Sequence, residues 1–158
     1  MTKPLGSLQR VAKAADDLGL DIRIVEMDQS TRTAQEAADA AGCSVAQIVK
    51  SLIFERADDA TLVLVLVSGA HNANMDVLKR HAGADLVRAD PRKIREQTGF
   101  AIGGVAPIGH LIDLPVLMDE TLLKHATVWA AAGKPNAVFE VKPGRLSDAV
   151  GAVVVSVG

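Results

Sequence analysis

Apolar residues at Leu8, Val11, Ala15 and Leu18 fall three to four positions apart before Gly19, which predicts an amphipathic first helix with Ser7 as N-cap and Gly19 as stop. Ile22 and Ile24 alternate with charged residues, the period of a short strand. Thr33 followed by Glu36 is a capping box that opens an alanine-rich helix closed by Gly42, and Ser44 with Gln47 repeats the device for one further turn. A strand from Val49 to Glu55, a turn at Asp58-Asp59 and a buried strand from Thr61 to Ser68 together read as a hairpin. Asn74 to His81 reads as a helix ending at Gly83, and Leu86-Val87 as a short strand. Asp90 caps a helix with Pro91 at its first position and Gly99 at its end.

Strands follow at Val116 to Met118, Thr127 to Ala130, Ala137 to Val141 and Ala152 to Val157. Between them lie a helix capped by Asp119, a turn at Gly133 to Asn136 and a last helix beginning near Pro143. Strands joined sometimes by turns and sometimes by helices imply a mixed sheet in an α/β chain of the α+β type. At 158 residues, with neither an internal repeat nor a low-complexity linker, residues 1–158 are expected to form a single domain.

One stretch fits no regular element. Thr98 to His110 is apolar and rich in glycine, with the spacing Gly103-x-x-x-Pro107 followed by Gly109 and His110. Glycine permits positive φ and close approach of a ligand to the main chain, while Pro107 fixes φ and removes one N–H. A lone amine, Lys50, sits in the apolar run Val49 to Phe54, either at the mouth of a pocket or snorkelling past a sheet edge.

Composition narrows the classes of function. Hydrophobic residues make up 49% of the chain but aromatics only 3%, so the core is aliphatic, and Phe54, Phe100, Trp129 and Phe139 read as part of it. That excludes a stacking platform for single strands, which needs several exposed rings. A net charge of -2 means that nucleic acid can be held only locally. The local cations are Lys79, Arg80, Arg88, Arg92, Lys93 and Arg95, against Asp85 and Asp90 in the same span. Such a cluster is either a solvated face or a docking surface for phosphates, with Arg92, Lys93 and Arg95 the candidates. The single Cys43 and the spacing of His71, His81 and His125 suggest no metal site, and these histidines read as surface residues. The longest apolar run, Leu62 to Val67, is far shorter than the ~20 residues of a membrane span, so a cytoplasmic protein is expected.

The Gly103–Pro107 loop, Lys50 and the segment Thr33 to Ala38 together resemble the YbaK and prolyl-tRNA synthetase-associated editing domains, over roughly residues 20 to 157. The resemblance implies a mixed, barrel-like sheet surrounded by helices. It also implies a free-standing deacylase that hydrolyses mischarged tRNA, most simply tRNA-Pro carrying a small amino acid such as Ala or Cys, with no cofactor. Lys50 occupies the place of the family's principal functional lysine, which orients the substrate. By the same resemblance Gly103, Gly104 and Pro107 form the wall of the aminoacyl pocket and Thr33 borders it. His110 either bonds the terminal adenosine or caps its turn, and Ser68, at the end of a buried strand, is a further candidate. The implied partners are the acceptor end of tRNA and prolyl-tRNA synthetase, with neither a membrane nor DNA.

Family enzymes are described as substrate-assisted, which suits a chain without a Ser-His-Asp constellation. The cysteinyl branch carries a Ser-Gly-Gly-Lys turn and a nearby aspartate. Here the turn reads Ala131-Ala132-Gly133-Lys134, with Val138 near the place of the acid, which weighs against cysteine. Two readings of other classes stand beside the deacylase: a non-catalytic binding module for tRNA or an aminoacyl ligand, and a Schiff-base lysine enzyme using Lys50.

Overall fold

Cap chemistry sets most of the helix starts. The Thr33 hydroxyl accepts from the Glu36 N–H at 3.1 Å while the Thr33 N–H donates to the Glu36 carboxylate, opening α2 (Ala34–Ala41) as the capping box predicts. Asn74 and Asp90 accept main-chain N–H groups at the starts of α3 (Met75–Ala82) and α4 (Pro91–Thr98), and glycines in the left-handed region close all three helices. α1 (Ser7–Asp17) begins differently from expectation: Ser7 is already helical, Gly6 is the cap, and the Gln9 side chain accepts the Gly6 N–H at 2.8 Å. α5 spans Pro143–Val150. The segment after Asp119 is a short 3-10 turn, Glu120–Lys124, rather than an α-helix. The computed structural model describes residues 6–31 and 33–157, so the ends of the 1–158 span lie outside the described residues.

These helices flank one mixed sheet of eight strands: β1 (Arg23–Glu26), β2 (Ile48–Arg56), β3 (Leu62–Ser68), β4 (Leu86–Arg88), β5 (Val116–Asp119), β6 (Val128–Ala131), β7 (Ala137–Val141) and β8 (Val153–Val155). The order is β1-β7-β6-β2-β3-β5-β8, with β4 pairing on β2. Neither the β2/β6 nor the β3/β5 adjacency is sequential, and both pairs are parallel. The β2–β3 hairpin runs antiparallel from Val49↔Ser68 to Glu55↔Leu62. All of β3 is buried, since Leu64 and Leu66 face one apolar cluster with Phe100, Met118 and Phe139, while Val63, Val65 and Val67 face another with Leu78. Burial on both faces is why that strand reads as an unbroken Leu/Val run.

β2 has a divided neighbour. On the side away from β3 it pairs with β6 at Ile48 and Val49 only, and with β4 from Phe54 to Arg56 only. Between these contacts the sheet splits, and residues 50–53 have no strand beside them among the described residues. This notch positions the site.

Candidate active site

A cavity of about 730 Å³ occupies the notch. β2 crosses its floor, and its walls come from Ile94 of α4, Ile102, Gly103 and Val105 of the glycine-rich loop, Trp129 and Val138 of the sheet, and Thr33 and Ala37 at the start of α2. The walls are largely aliphatic, with a few polar groups at defined points, the composition of a small-molecule site.

Lys50 lines this cavity, half-buried, and its ammonium donates to the His71 carbonyl. Burial pushes its pKa below the ordinary lysine value, partly offset by the carboxylate of Asp119. Asp119 is fully buried at the end of β5. One of its oxygens accepts the Ser68 N–H at 3.0 Å and faces the His71 ring Nδ1 at 3.0 Å, while the other accepts the Thr121 N–H at 3.0 Å and hydroxyl at 2.8 Å. Burial alone would raise the carboxyl pKa, but these donors outweigh it and hold the pKa below the ordinary value. Asp119 therefore fixes His71, whose carbonyl fixes Lys50. His71 is thus a structural neighbour of the amine rather than a plain surface residue, and the cap position of Asp119 was the one local signal of this pair.

The other predicted residues divide. Gly103, with φ of 94°, lies on the cavity wall, as does Thr33 beside its capping role. Gly104, Pro107, His110 and Ser68 are not among the lining residues. Gly104 is buried against another loop, and a Cβ there would meet the Gly133 carbonyl carbon and oxygen and the Lys134 nitrogen at 3.2 Å. Its glycine thus serves the close approach of two backbones. Gly104→Val is expected to lower stability by about 1–3 kcal/mol through overpacking. Thermal unfolding checks this, and activity per folded molecule remains near wild type. Pro107 is buried. Ser68 is buried, with its hydroxyl donating to the Ala46 carbonyl at 2.8 Å, so it ties β3 to the turn before β2.

His110 packs edge-on against Phe100, with ring centroids 5.2 Å apart. Both ring nitrogens are buried without a hydrogen-bond partner among the described residues. Burial lowers its pKa to about 4, against an opposing pull from the Ala106 backbone and with a smaller push from the Arg10 charge. The folded state thus holds this histidine neutral, whereas the unfolded chain takes up a proton near pH 6.5. Its contribution to stability is present above that pH and is lost as pH falls from about 6.5 to about 4, by up to about 3 kcal/mol. Denaturant titrations of wild type and His110→Phe are expected to diverge in slope over that interval.

Of the cations, Arg92 and Arg95 are exposed on α4, whose Ile94 faces the cavity. Lys93 instead bonds Glu55 at 2.5 Å and the Ala60 carbonyl at 2.6 Å, and Lys79 pairs with Asp85. Arg88, assigned above only to the cluster, lines the cavity itself.

A family model described as the aminoacyl-tRNA editing domain matches residues 28–149. The uncharacterized protein YwhH of Bacillus subtilis is 32% identical over 125 residues, 79% of each chain. A proline–tRNA ligase of Thermosipho melanesiensis is 40% identical over 81 residues, which are 51% of this chain but only 14% of the ligase. Among solved structures, one described as a candidate trans-editing enzyme for prolyl tRNA synthetase superposes with a TM-score of 0.89 over 98% of both chains, at 43% identity.

Proposed function

This chain belongs to the aminoacyl-tRNA editing domain family, and from that premise we propose that it is one editing domain acting in trans, a deacylase that hydrolyses the ester of mischarged tRNA, most simply tRNA-Pro bearing alanine or another small amino acid. The observation that carries this reading is the Lys50 amine held at an apolar cavity where the sheet divides. The likeness to a candidate trans-editing enzyme supports the trans action and the link to proline tRNA. No helix among the described residues is long and apolar enough to cross a membrane, and a cytoplasmic place beside prolyl-tRNA synthetase fits the role.

In this reading the acceptor end enters by Arg88 and the aminoacyl side chain rests against Ile94, Val105, Trp129 and Val138. Water adds to the ester carbonyl, and the oxyanion that forms is stabilised by the Lys50 ammonium. Collapse of the intermediate breaks the bond to the ribose oxygen, which takes the proton given up by the attacking water and leaves as the tRNA hydroxyl. The neighbouring ribose hydroxyl positions the water. An aminoacyl ester is labile enough for positioning to supply much of the acceleration. The aliphatic walls limit side-chain size at about 1–3 kcal/mol per methylene, so neighbouring small residues are sorted only partly.

A panel of tRNAs charged with Ala, Ser, Thr, Cys and Pro tests the proposal. Release of the small amino acids with sparing of Pro supports it, and tight binding without release selects a non-catalytic carrier instead. Docking is tested separately. Replacing Arg92 and Arg95 with Gln is expected to weaken tRNA binding and flatten its log-log salt dependence by about one unit per lost phosphate contact. Turnover at saturating tRNA stays near wild type, because such contacts bind ground and transition states alike. Unchanged affinity and slope would return α4 to the status of a solvated face.

A further inference from the structure

The notch leaves main-chain groups of β2 without strand partners, and the register says which. The Arg56 N–H donates to Thr61 across the hairpin, and the Ile48 carbonyl accepts from Gly69 at its other end, so even-numbered residues of β2 bond toward β3. Odd-numbered residues point the other way, as the Ala57 N–H shows by donating to the Asp85 carbonyl beside β4. On that edge Val49 is matched with β6 and Glu55 with β4, and the pairing of Phe54 with Arg88 places Ala89 opposite Ile53 to take up its carbonyl. Among the described residues, the N–H and C=O of Ser51 and the N–H of Ile53 are left without a strand partner on this edge. The Ser51 hydroxyl adds to them, buried and without a hydrogen-bond partner among the described residues. Both residues line the cavity, whose other walls are mostly aliphatic.

Buried main-chain groups are nearly always paired, and leaving one unpaired costs about as much as a lost hydrogen bond. An unpaired strand edge at the floor of a cavity is therefore a binding surface for a ligand that carries its own donor and acceptor at peptide-like spacing, the logic of strand addition on the scale of one residue. We infer that the bare edge of β2, Ser51 to Ile53, docks the atoms common to every α-amino acyl ester. The Ser51 carbonyl accepts from the α-ammonium, and an edge N–H donates to the acyl carbonyl. This rests on the deacylase reading for the identity of the acyl group and deepens it. Backbone atoms read the amino-acid frame, and the aliphatic walls read only the size of the side chain. Esters whose amino group is acylated, such as peptidyl-tRNA, are then refused, because they offer no cation to the Ser51 carbonyl and carry a bulky group into the edge.

The test is residue-resolved amide exchange on the unmodified protein, free and with 3′-(L-alanylamino)-3′-deoxyadenosine, an amide that is not turned over. In the free protein the Ser51 and Ile53 amides exchange much faster than those of Leu52 and Phe54, which bond β3. At about ten times the Kd the analogue slows Ser51 and Ile53 by about tenfold and leaves Leu52 unchanged. The N-acetylated analogue binds at least about tenfold more weakly, the loss of a single good contact. Ser51 and Ile53 amides already as protected as Leu52 would overturn the inference. So would failure of the analogue to bind, binding that leaves these amides untouched, or equal binding of the acetylated form. None of these readouts needs turnover. A protein that binds the analogue on this edge yet deacylates nothing would retire the deacylase and leave the edge in place.

Discussion

Lys50→Ala is expected to cut kcat/KM for deacylation of Ala-tRNA-Pro by about 100- to 1000-fold, the usual consequence of removing one donor from a developing oxyanion. The fold survives, because the side chain is only half-buried and its loss removes one bond, to the His71 carbonyl, rather than a core contact. Lys50→Arg restores only part of the rate, since a planar guanidinium cannot place a compact charge at the same point. Circular dichroism and melting of the variant near wild type, together with the kinetic loss, would locate the effect in chemistry. A variant with wild-type kcat/KM would remove Lys50 from the mechanism.

The largest loss of stability is expected from Asp119→Ala. The carboxylate bonds two main-chain N–H groups, a hydroxyl and the His71 ring from a fully buried position. Its removal leaves the Ser68 N–H unsatisfied inside the sheet, for which a cost of about 3–5 kcal/mol is expected. Asp119→Asn keeps the shape and is milder, but it loses the charge beside the amine, so the Lys50 pKa falls further. Because the Asp119 pKa is depressed in the folded state, its contribution is present above the ordinary carboxylate pKa and fades as pH falls through the folded value. Urea titrations near neutral pH and in acid measure this directly: the gap between wild type and Asp119→Asn narrows in acid. Equal stability of the two proteins at neutral pH would show that the network does not hold the site.

Local chemistry was legible in the sequence wherever one residue's side chain serves its own backbone. Thr33, Asn74 and Asp90 start helices, and Gly42, Gly83 and Gly99 end them, because capping is decided within a few residues. The hairpin of β2 and β3 was legible for the same reason. The family resemblance placed Lys50, Gly103 and Thr33 at one site, and the structure brings all three to one cavity. What the sequence hid was non-local. The notch in β2 exists because β4 and β6, separated from it by dozens of residues, each pair with only part of the strand. Gly104 reads like Gly103 until Gly133 is seen against it, and Lys93 reads as a free cation until Glu55 is seen beside it. His71 shows its part only once β5 delivers Asp119 to it.

The central claim is that the cavity hydrolyses small aminoacyl esters and spares the cognate one. The most direct measurement compares initial rates of amino-acid release from Ala-tRNA-Pro and Pro-tRNA-Pro by the wild-type protein under identical conditions. A cavity that sorts by size predicts a ratio on the order of 100 in favour of alanine, the discrimination available from one to two methylenes against aliphatic walls. Equal rates, or no release above the spontaneous rate from either tRNA, would contradict it.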